Sequence, residues 1–279
     1  MNILTFDIED WYNCDFMDDN LNWERHEVRI YSGVDRILAE LNNTNYKATF
    51  FCLGWLAEKH PEVIKNIKNQ GHHVGCHSYQ HQLAYKFSRE QFYQDTDRAK
   101  KLLEDVIGEE INAYRAPGFS IIKENISYLE ILVELGFKYD ASIFPASHDY
   151  GGLPGFGPKT PYVIQTSSGS IKEFPMTYHE LFGKKLIFSG GGYFRLLPYS
   201  VICNLSKKSD YLMTYFHPRD FDPDQRIVSS LSLKRKFKSY VGLGGSLSKF
   251  KYYLNDFEFL SIARADNEID WSYASKIII

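Results

Sequence analysis

Ile3-Leu4-Thr5-Phe6-Asp7-Ile8-Glu9-Asp10 decides the fold class. Residues 3–6 form a short apolar run of strand formers, and the run ends in carboxylates, as a buried strand does when it carries chemistry at its end. Outward from it, Val34, Ile37, Leu38 and Leu41 fall at i, i+3, i+4 and i+7, the stripe of a helix laid on a sheet. Residues 47–53 read as the next strand. Pro61 then opens a helix carrying Val63, Ile64 and Ile67 that Gly71 stops. Residues 74–76 form a short strand. Ser88 and Gln91 have capping-box spacing before a helix with Ala99, Leu102, Leu103 and Val106 on one side. A strand at 113–115 and a helix over 126–135, ended by Gly136, continue the alternation. Repeated strand and helix argue for an α/β fold with a parallel sheet, helices outside and the site at the strand ends.

The 279 residues are 44% hydrophobic, enough for one large domain or two small ones. Aromatics reach 16%, with 20 Tyr and 20 Phe; packing accounts for most, and aromatic faces also suit sugar rings. A net charge of -3 and a pI near 6.3 give no general basic field, so no nucleic-acid partner is expected. The basic run Lys234-Arg235-Lys236-Phe237-Lys238 reads as a solvated helix face, with an anionic polymer or membrane as its other reading. Cys14, Cys52, Cys76 and Cys203 are scattered without a CxxC pair, which suggests neither a disulfide framework nor a zinc finger. The chain opens without a charged or apolar leader and has no stretch long enough to span a membrane, so a cytoplasmic location is expected. Residues 149–161 turn to Gly and Pro and read as a surface loop or lid within a single domain over 1–279 that ends in a C-terminal extension. Gly190-Gly191-Gly192-Tyr193-Phe194-Arg195 lacks the Lys-Ser/Thr of a phosphate loop; backbone approach to a sugar suits it better.

His77-Ser78-Tyr79-Gln80-His81 places two imidazoles four residues apart just after a strand. In a helical turn that spacing puts both on one side, where a single metal ion can take both; the alternative is a pair of hydrogen-bonded loop histidines. Further along, Arg115-Ala116-Pro117-Gly118 ends one strand and Phe216-His217-Pro218 ends another.

In that order, together with Ala48-Thr49-Phe50-Phe51 and Tyr139-Asp140-Ala141-Ser142, these motifs resemble the NodB-homology polysaccharide deacetylases, carbohydrate esterase family four. The likeness extends over nearly the whole chain. It is nearest to a bacterial subgroup with a D-x-E-D-W opening, a segment like residues 190–198 and a C-terminal extension, found with exopolysaccharide or O-antigen synthesis.

The resemblance implies an incomplete or distorted (β/α) barrel that N-deacetylates an N-acetylated saccharide with one divalent cation, Zn²⁺ first and Co²⁺ or Ni²⁺ as substitutes. It assigns the metal to a carboxylate with His77 and His81, the general base to Asp7 and the general acid to His217. Arg115 would hold Asp7 ionised, and Asp140 would do the same service for His217. The family's two adjacent Asp residues are separated here by Ile8 and Glu9. An extended strand would put Asp7 and Glu9 on one face, whereas a turn from Ile8 would bring Asp10 round; Asp10 is preferred as ligand for its shorter side chain, with Glu9 the alternative. Trp11, Pro117, Gly118, Phe119, Tyr193 and Phe194 adjoin the motifs and are the candidate substrate contacts. Two rivals stand beside this reading: a metal-independent cyclic-amide hydrolase and a silent sugar-binding protein. The retained His77, His81, Asp7 and His217 argue against both.

Overall fold

In the computed structural model, which describes residues 1–13, 22–181 and 183–279 with the side chain of Lys184 excepted, the opening strand Thr5–Ile8 is buried along its whole length. It pairs in parallel with Thr49–Cys52, Asp7 standing opposite Phe51, and Thr49–Cys52 pairs in parallel with His73–Cys76. Burial on both faces explains why these strands read as continuous apolar runs rather than alternating ones. The full sheet has eight strands in the order Lys276–Ile278, Tyr162–Thr166, Gly169–Glu173, Tyr139–Asp140, Ala113–Tyr114, His73–Cys76, Thr49–Cys52, Thr5–Ile8. Every pairing is parallel except the hairpin of Tyr162–Thr166 with Gly169–Glu173.

Past Thr5–Ile8 the wall curls on without a continuous ladder. Phe6 makes an isolated parallel bridge to Phe216, Asn2–Ile3 pairs with Leu212–Met213, and Gly190 bridges Tyr215. The outcome is the expected incomplete, distorted barrel. Its early strands end on one rim, where Asp7, His77, Arg115 and His217 emerge.

Helices cover the outside. Ile30–Asn42 buries Val34, Ile37, Leu38 and Leu41, the stripe seen in the sequence. Each such side chain stabilises by about 1.5–3 kcal/mol, and Ile37→Ala would cost about 2–5 kcal/mol. Arg89–Ile107 starts at the Ser88–Gln91 capping box, in which Ser88 Oγ accepts from the Gln91 N–H at 3.2 Å and Gln91 Oε1 from the Ser88 N–H at 2.8 Å. Pro61–Asn69 ends before Gly71 as expected.

The helix expected over 126–135 is shorter, Tyr128–Glu134, because a 3₁₀ turn, Lys123–Asn125, precedes it. The glycine segment holds a short helix, Gly191–Leu196; a Cβ on Gly190 would lie 1.8 Å from the carbonyl oxygen of Tyr215, so that glycine serves a close backbone crossing. Cys52, Cys76 and Cys203 carry free thiols, and Cys14 lies outside the described residues. Among the described residues no helix is long and apolar enough to cross a membrane.

Candidate active site

Glu9, His77 and His81 offer one carboxylate oxygen and two ring nitrogens that all lie within 4.8 Å of one another, and all three residues are buried. His81 Nε2 is 2.5 Å from Glu9 Oε2. The two histidines do not share a helical turn. Residues 77–81 form an open loop in which Ser78 (φ 67°) and His81 (φ 55°) adopt the left-handed conformation. That backbone costs about 1–3 kcal/mol per residue, and surrounding bonds must sustain it. The Gly54 and Trp55 N–H groups donate to the Ser78 and Tyr79 carbonyls, and Asp95 Oδ2 accepts from the Tyr79 N–H at 2.9 Å. Gly54 is needed there, since a Cβ would lie 2.7 Å from Ala99 Cα.

His77 Nδ1 is 2.8 Å from the Arg115 carbonyl, which fixes Nδ1 as the donor and leaves the Nε2 lone pair for an electrophile. Burial pushes the His77 pKa down to about 4, so the ring is neutral as a ligand must be. For Glu9, burial opposes ionisation, but His81 beside it, with His217 and His77, holds the carboxyl well below its ordinary range. A set of two imidazoles and one carboxylate fits a divalent cation of the zinc type.

Asp10 does not join this cluster. Its Oδ2 accepts from the backbone N–H groups of Arg29 (2.7 Å) and Ile30 (2.8 Å), and its Oδ1 from that of Trp11 (2.7 Å). The helix Ile30–Asn42 has no side-chain cap at Arg29 and no acidic residue in its first turn, and Asp10 supplies both from a distance. Of the two candidate carboxylates, Glu9 is therefore the one in the donor set; it lies just past the end of Thr5–Ile8, where its N–H donates to the Asp7 carbonyl at 3.2 Å, and its carboxylate, like that of Asp7, faces His217 Nε2.

Arg115 Nη1 lies 2.7 Å from Asp7 Oδ1 and 2.8 Å from Thr5 Oγ1, while its Nε donates to the Ala141 carbonyl at 3.1 Å. The guanidinium is wholly buried, 4.3 Å from the Phe51 ring centroid. Asp7 Oδ2 faces His217 Nε2 at 3.9 Å, and Glu9 Oε1 faces the same nitrogen at 3.8 Å.

Asp140 is not the partner of His217. Its strand lies four places along the sheet from Thr5–Ile8, and its carboxylate is buried beside Glu173, with Oδ1 accepting from Ser142 Oγ at 2.5 Å. Ser142 Oγ in turn accepts from the Ala116 N–H at 2.9 Å, so Asp140 braces the Arg115 loop instead. The carboxylate at His217 is Asp220, whose Oδ2 is 3.2 Å from Nδ1 and 2.9 Å from the His217 N–H. Asp220 Oδ1 lies 2.9 Å from Arg195 Nε. Burial works against the charged His217 ring, yet Asp220, Glu9 and Asp7 raise its pKa above the ordinary value.

A cavity of about 290 Å³ gathers Asp7, Glu9, His77, His81 and His217, with Gly118 and Tyr215 among its walls. Tyr193, 49% exposed, lines a neighbouring groove. The other expected substrate contacts do not face that cavity. Trp11 is buried with Nε1 donating to the Glu27 carbonyl, and Phe194 is buried with its ring 4.8 Å from that of Phe216. Pro117 is buried, and Phe119 packs on Phe144 and Tyr215. Asp220 and Arg195 were missed as site residues. Asp220 had a sequence signal, an acid three residues after His217 in a Pro-led turn; Arg195 had none beyond its glycine-rich neighbours.

Residues 4–139 match the family described as Polysaccharide deacetylase, and residues 141–267 match one described as a domain of unknown function, DUF3473. Among curated proteins, a peptidoglycan-N-acetylglucosamine deacetylase of Bacillus cereus is 32% identical over 93 residues, 33% of this chain and 34% of that protein. A peptidoglycan deacetylase of Helicobacter pylori is 32% identical over 111 residues, 40% of this chain and 37% of its own. The chain thus spans little more than a third of these relatives' length. A Mycobacterium smegmatis structure assigned to the polysaccharide deacetylases superposes with a TM-score of 0.65 at 20% identity, covering 99% of this chain and 92% of that one. A CE4 family pseudoenzyme from Bacillus anthracis gives 0.51 at 14%, covering 95% and 64%. At these identities the two superpositions speak for the fold alone.

Proposed function

We propose that this chain, whose residues 4–139 belong to the polysaccharide deacetylase family, hydrolyses the acetamide of an N-acetylated saccharide, releasing acetate and a free amine. One observation carries the reading: Glu9, His77 and His81 form a compact metal donor set, with Asp7 and His217 each fixed by a further ion pair and facing each other across the same cavity. A divalent cation held by that set, Zn²⁺ before Co²⁺ or Ni²⁺, would make water nucleophilic near neutral pH and polarise the acetyl carbonyl.

The chain's own groups supply the rest. Asp7, oriented by Arg115, accepts the proton of the attacking water. His217 donates a proton to the departing nitrogen, and its ring is charged beforehand because Asp220 favours the imidazolium. The curated relatives named for peptidoglycan N-acetylglucosamine support the substrate class, and the walls of the cavity accept a sugar-sized group.

The deciding experiment is acetate release from a panel of N-acetylated saccharides, with and without chelator, alongside metal analysis. Activity that chelation abolishes and Zn²⁺ or Co²⁺ restores is the expected result. Full turnover by protein shown to be metal-free would overturn it.

A further inference from the structure

We propose that the saccharide accepted here carries an anionic group beside its N-acetylated sugar, a phosphate diester or an acidic sugar, held by a basic and aromatic groove that continues the reaction cavity. This rests on the deacetylase reading for the identity of the sugar, and on separate residues for the charge. The inner cavity, about 290 Å³, lies at the small end of ligand pockets and suits a single sugar. Tyr150, Gly192, Tyr215, Arg235 and Lys238 border it and also border a second groove of about 710 Å³, so a longer ligand passes from one to the other.

The outer groove is walled by Lys234, Arg235 and Lys238 of the helix Leu233–Tyr240, and among the described residues lining it the acid is Asp149. Lys238 Nζ is 3.0 Å from Asp149 Oδ2, and Lys234 and Arg235 lie near the same carboxylate. Among the described residues that line it, cations therefore outnumber acids, on a chain whose net charge is -3. Catalytic carboxylates do not need these cations, because Asp7 already has Arg115 and Asp220 has Arg195. Tyr193 and Phe237 are 49% and 57% exposed along the groove, and the Arg235 guanidinium sits 5.1 Å from the Tyr150 ring centroid. Exposed ring faces between cations are what a chain of sugar rings with attached anions would contact.

A solvated helix face, the plain reading of this basic run in the sequence, does not account for how the helix is anchored. Arg195 donates to the carbonyls of Lys238 (3.0 Å), Ser239 (2.9 Å) and Val241 (2.9 Å) while its Nε reaches Asp220, the partner of His217. The cationic wall is thereby tied to the residue that protonates the leaving group.

The test uses the metal-loaded protein and three probes: neutral chitotetraose, UDP-N-acetylglucosamine, and an oligosaccharide alternating N-acetylglucosamine with glucuronic acid. Binding by calorimetry is expected to favour one or both anionic probes about tenfold or more over the neutral one at low salt. That advantage should shrink as salt rises to about 0.5 M. Which anionic probe binds better separates diphosphate from uronate. The double variant Lys234→Ala/Lys238→Ala should lose most of the advantage in KM rather than kcat. Equal or tighter binding of the neutral probe, or an advantage insensitive to both salt and the lysine variants, overturns the proposal. Charge-dependent binding without acetate release from any probe would instead overturn the deacetylase reading and leave this one standing.

Discussion

Asp220 holds His217 twice, its Oδ2 accepting from the backbone N–H at 2.9 Å and lying 3.2 Å from Nδ1, so the ring is aimed with Nε2 into the cavity. The same contact favours the charged ring against the opposing effect of burial. If His217 is the acid, activity falls on the alkaline side as it deprotonates. Asp220→Asn should keep the ring in place but remove the charge, moving the alkaline limb of the kcat profile to lower pH. His217→Ala should cut kcat roughly 10²- to 10⁴-fold with metal content unchanged. Loss of metal from His217→Ala, or an alkaline limb that stays put in Asp220→Asn, would break the assignment.

Glu9 and Asp10 are neighbours with separate duties, and two variants tell them apart. Glu9→Gln should lose bound metal as His77→Ala and His81→Ala do, since all three supply the donor set. Asp10→Asn should keep its metal and instead weaken the start of the helix Ile30–Asn42, by about 1–2 kcal/mol in denaturant unfolding. Metal loss in Asp10→Asn with metal retained in Glu9→Gln would reverse the two roles.

The early half of the chain was legible because its strands are apolar runs punctuated by caps and glycines, and because parallel sheets put their chemistry at strand ends. Thr49–Cys52 and His73–Cys76 follow directly from pattern, as does the Ser88–Gln91 cap, whereas the first strand, expected over 3–6, runs over Thr5–Ile8 and takes in Asp7. The choice between Glu9 and Asp10 was not legible from the strand alone. It turns on the unfilled N-terminus at Ile30, twenty residues away, which claims Asp10. Asp140 failed as the partner of His217 for a similar reason: sequence order says nothing of the distance across a curved sheet, whereas Asp220 is brought to His217 by a local turn. The cationic wall was visible as a basic run, but its helix is placed by Arg195, a tertiary contact no period reveals.

Asp7 stands outside the donor set and against Arg115, which predicts a split between binding and turnover. Asp7→Asn should retain metal and lose turnover by roughly 10²-fold or more. Arg115→Met should be worse in a different way, leaving the Asp7 carboxylate buried without its cation at a cost of about 3–5 kcal/mol. Urea unfolding beside acetate release checks both. Wild-type stability in Arg115→Met would deny the pair its structural weight, and metal loss in Asp7→Asn would make Asp7 a ligand.

Asp140 and Glu173 are register partners on adjacent parallel strands and both are wholly buried, too close and too dry for two charges. Burial, with Asp140 beside it, raises the Glu173 pKa well above its ordinary 4.5, so in the folded protein it keeps its proton and hydrogen-bonds to Asp140. The linkage follows from that direction. Below 4.5 both folded and unfolded states hold the proton; as pH rises, the unfolded chain releases it first, so the contribution to stability declines until the folded group also ionises. Glu173→Gln removes the titration while its amide can still donate to Asp140 and its Oε1 accept from the Ile143 N–H, the bond seen at 3.2 Å. The melting temperature of Glu173→Gln relative to wild type should therefore climb as pH is raised above 4.5. Glu173→Ala, which strands both partners, should lose roughly 1–3 kcal/mol instead. A Tm difference between Glu173→Gln and wild type that stays flat or falls with pH would mean that Glu173 is ionised in the folded protein and that the pair does not share a proton.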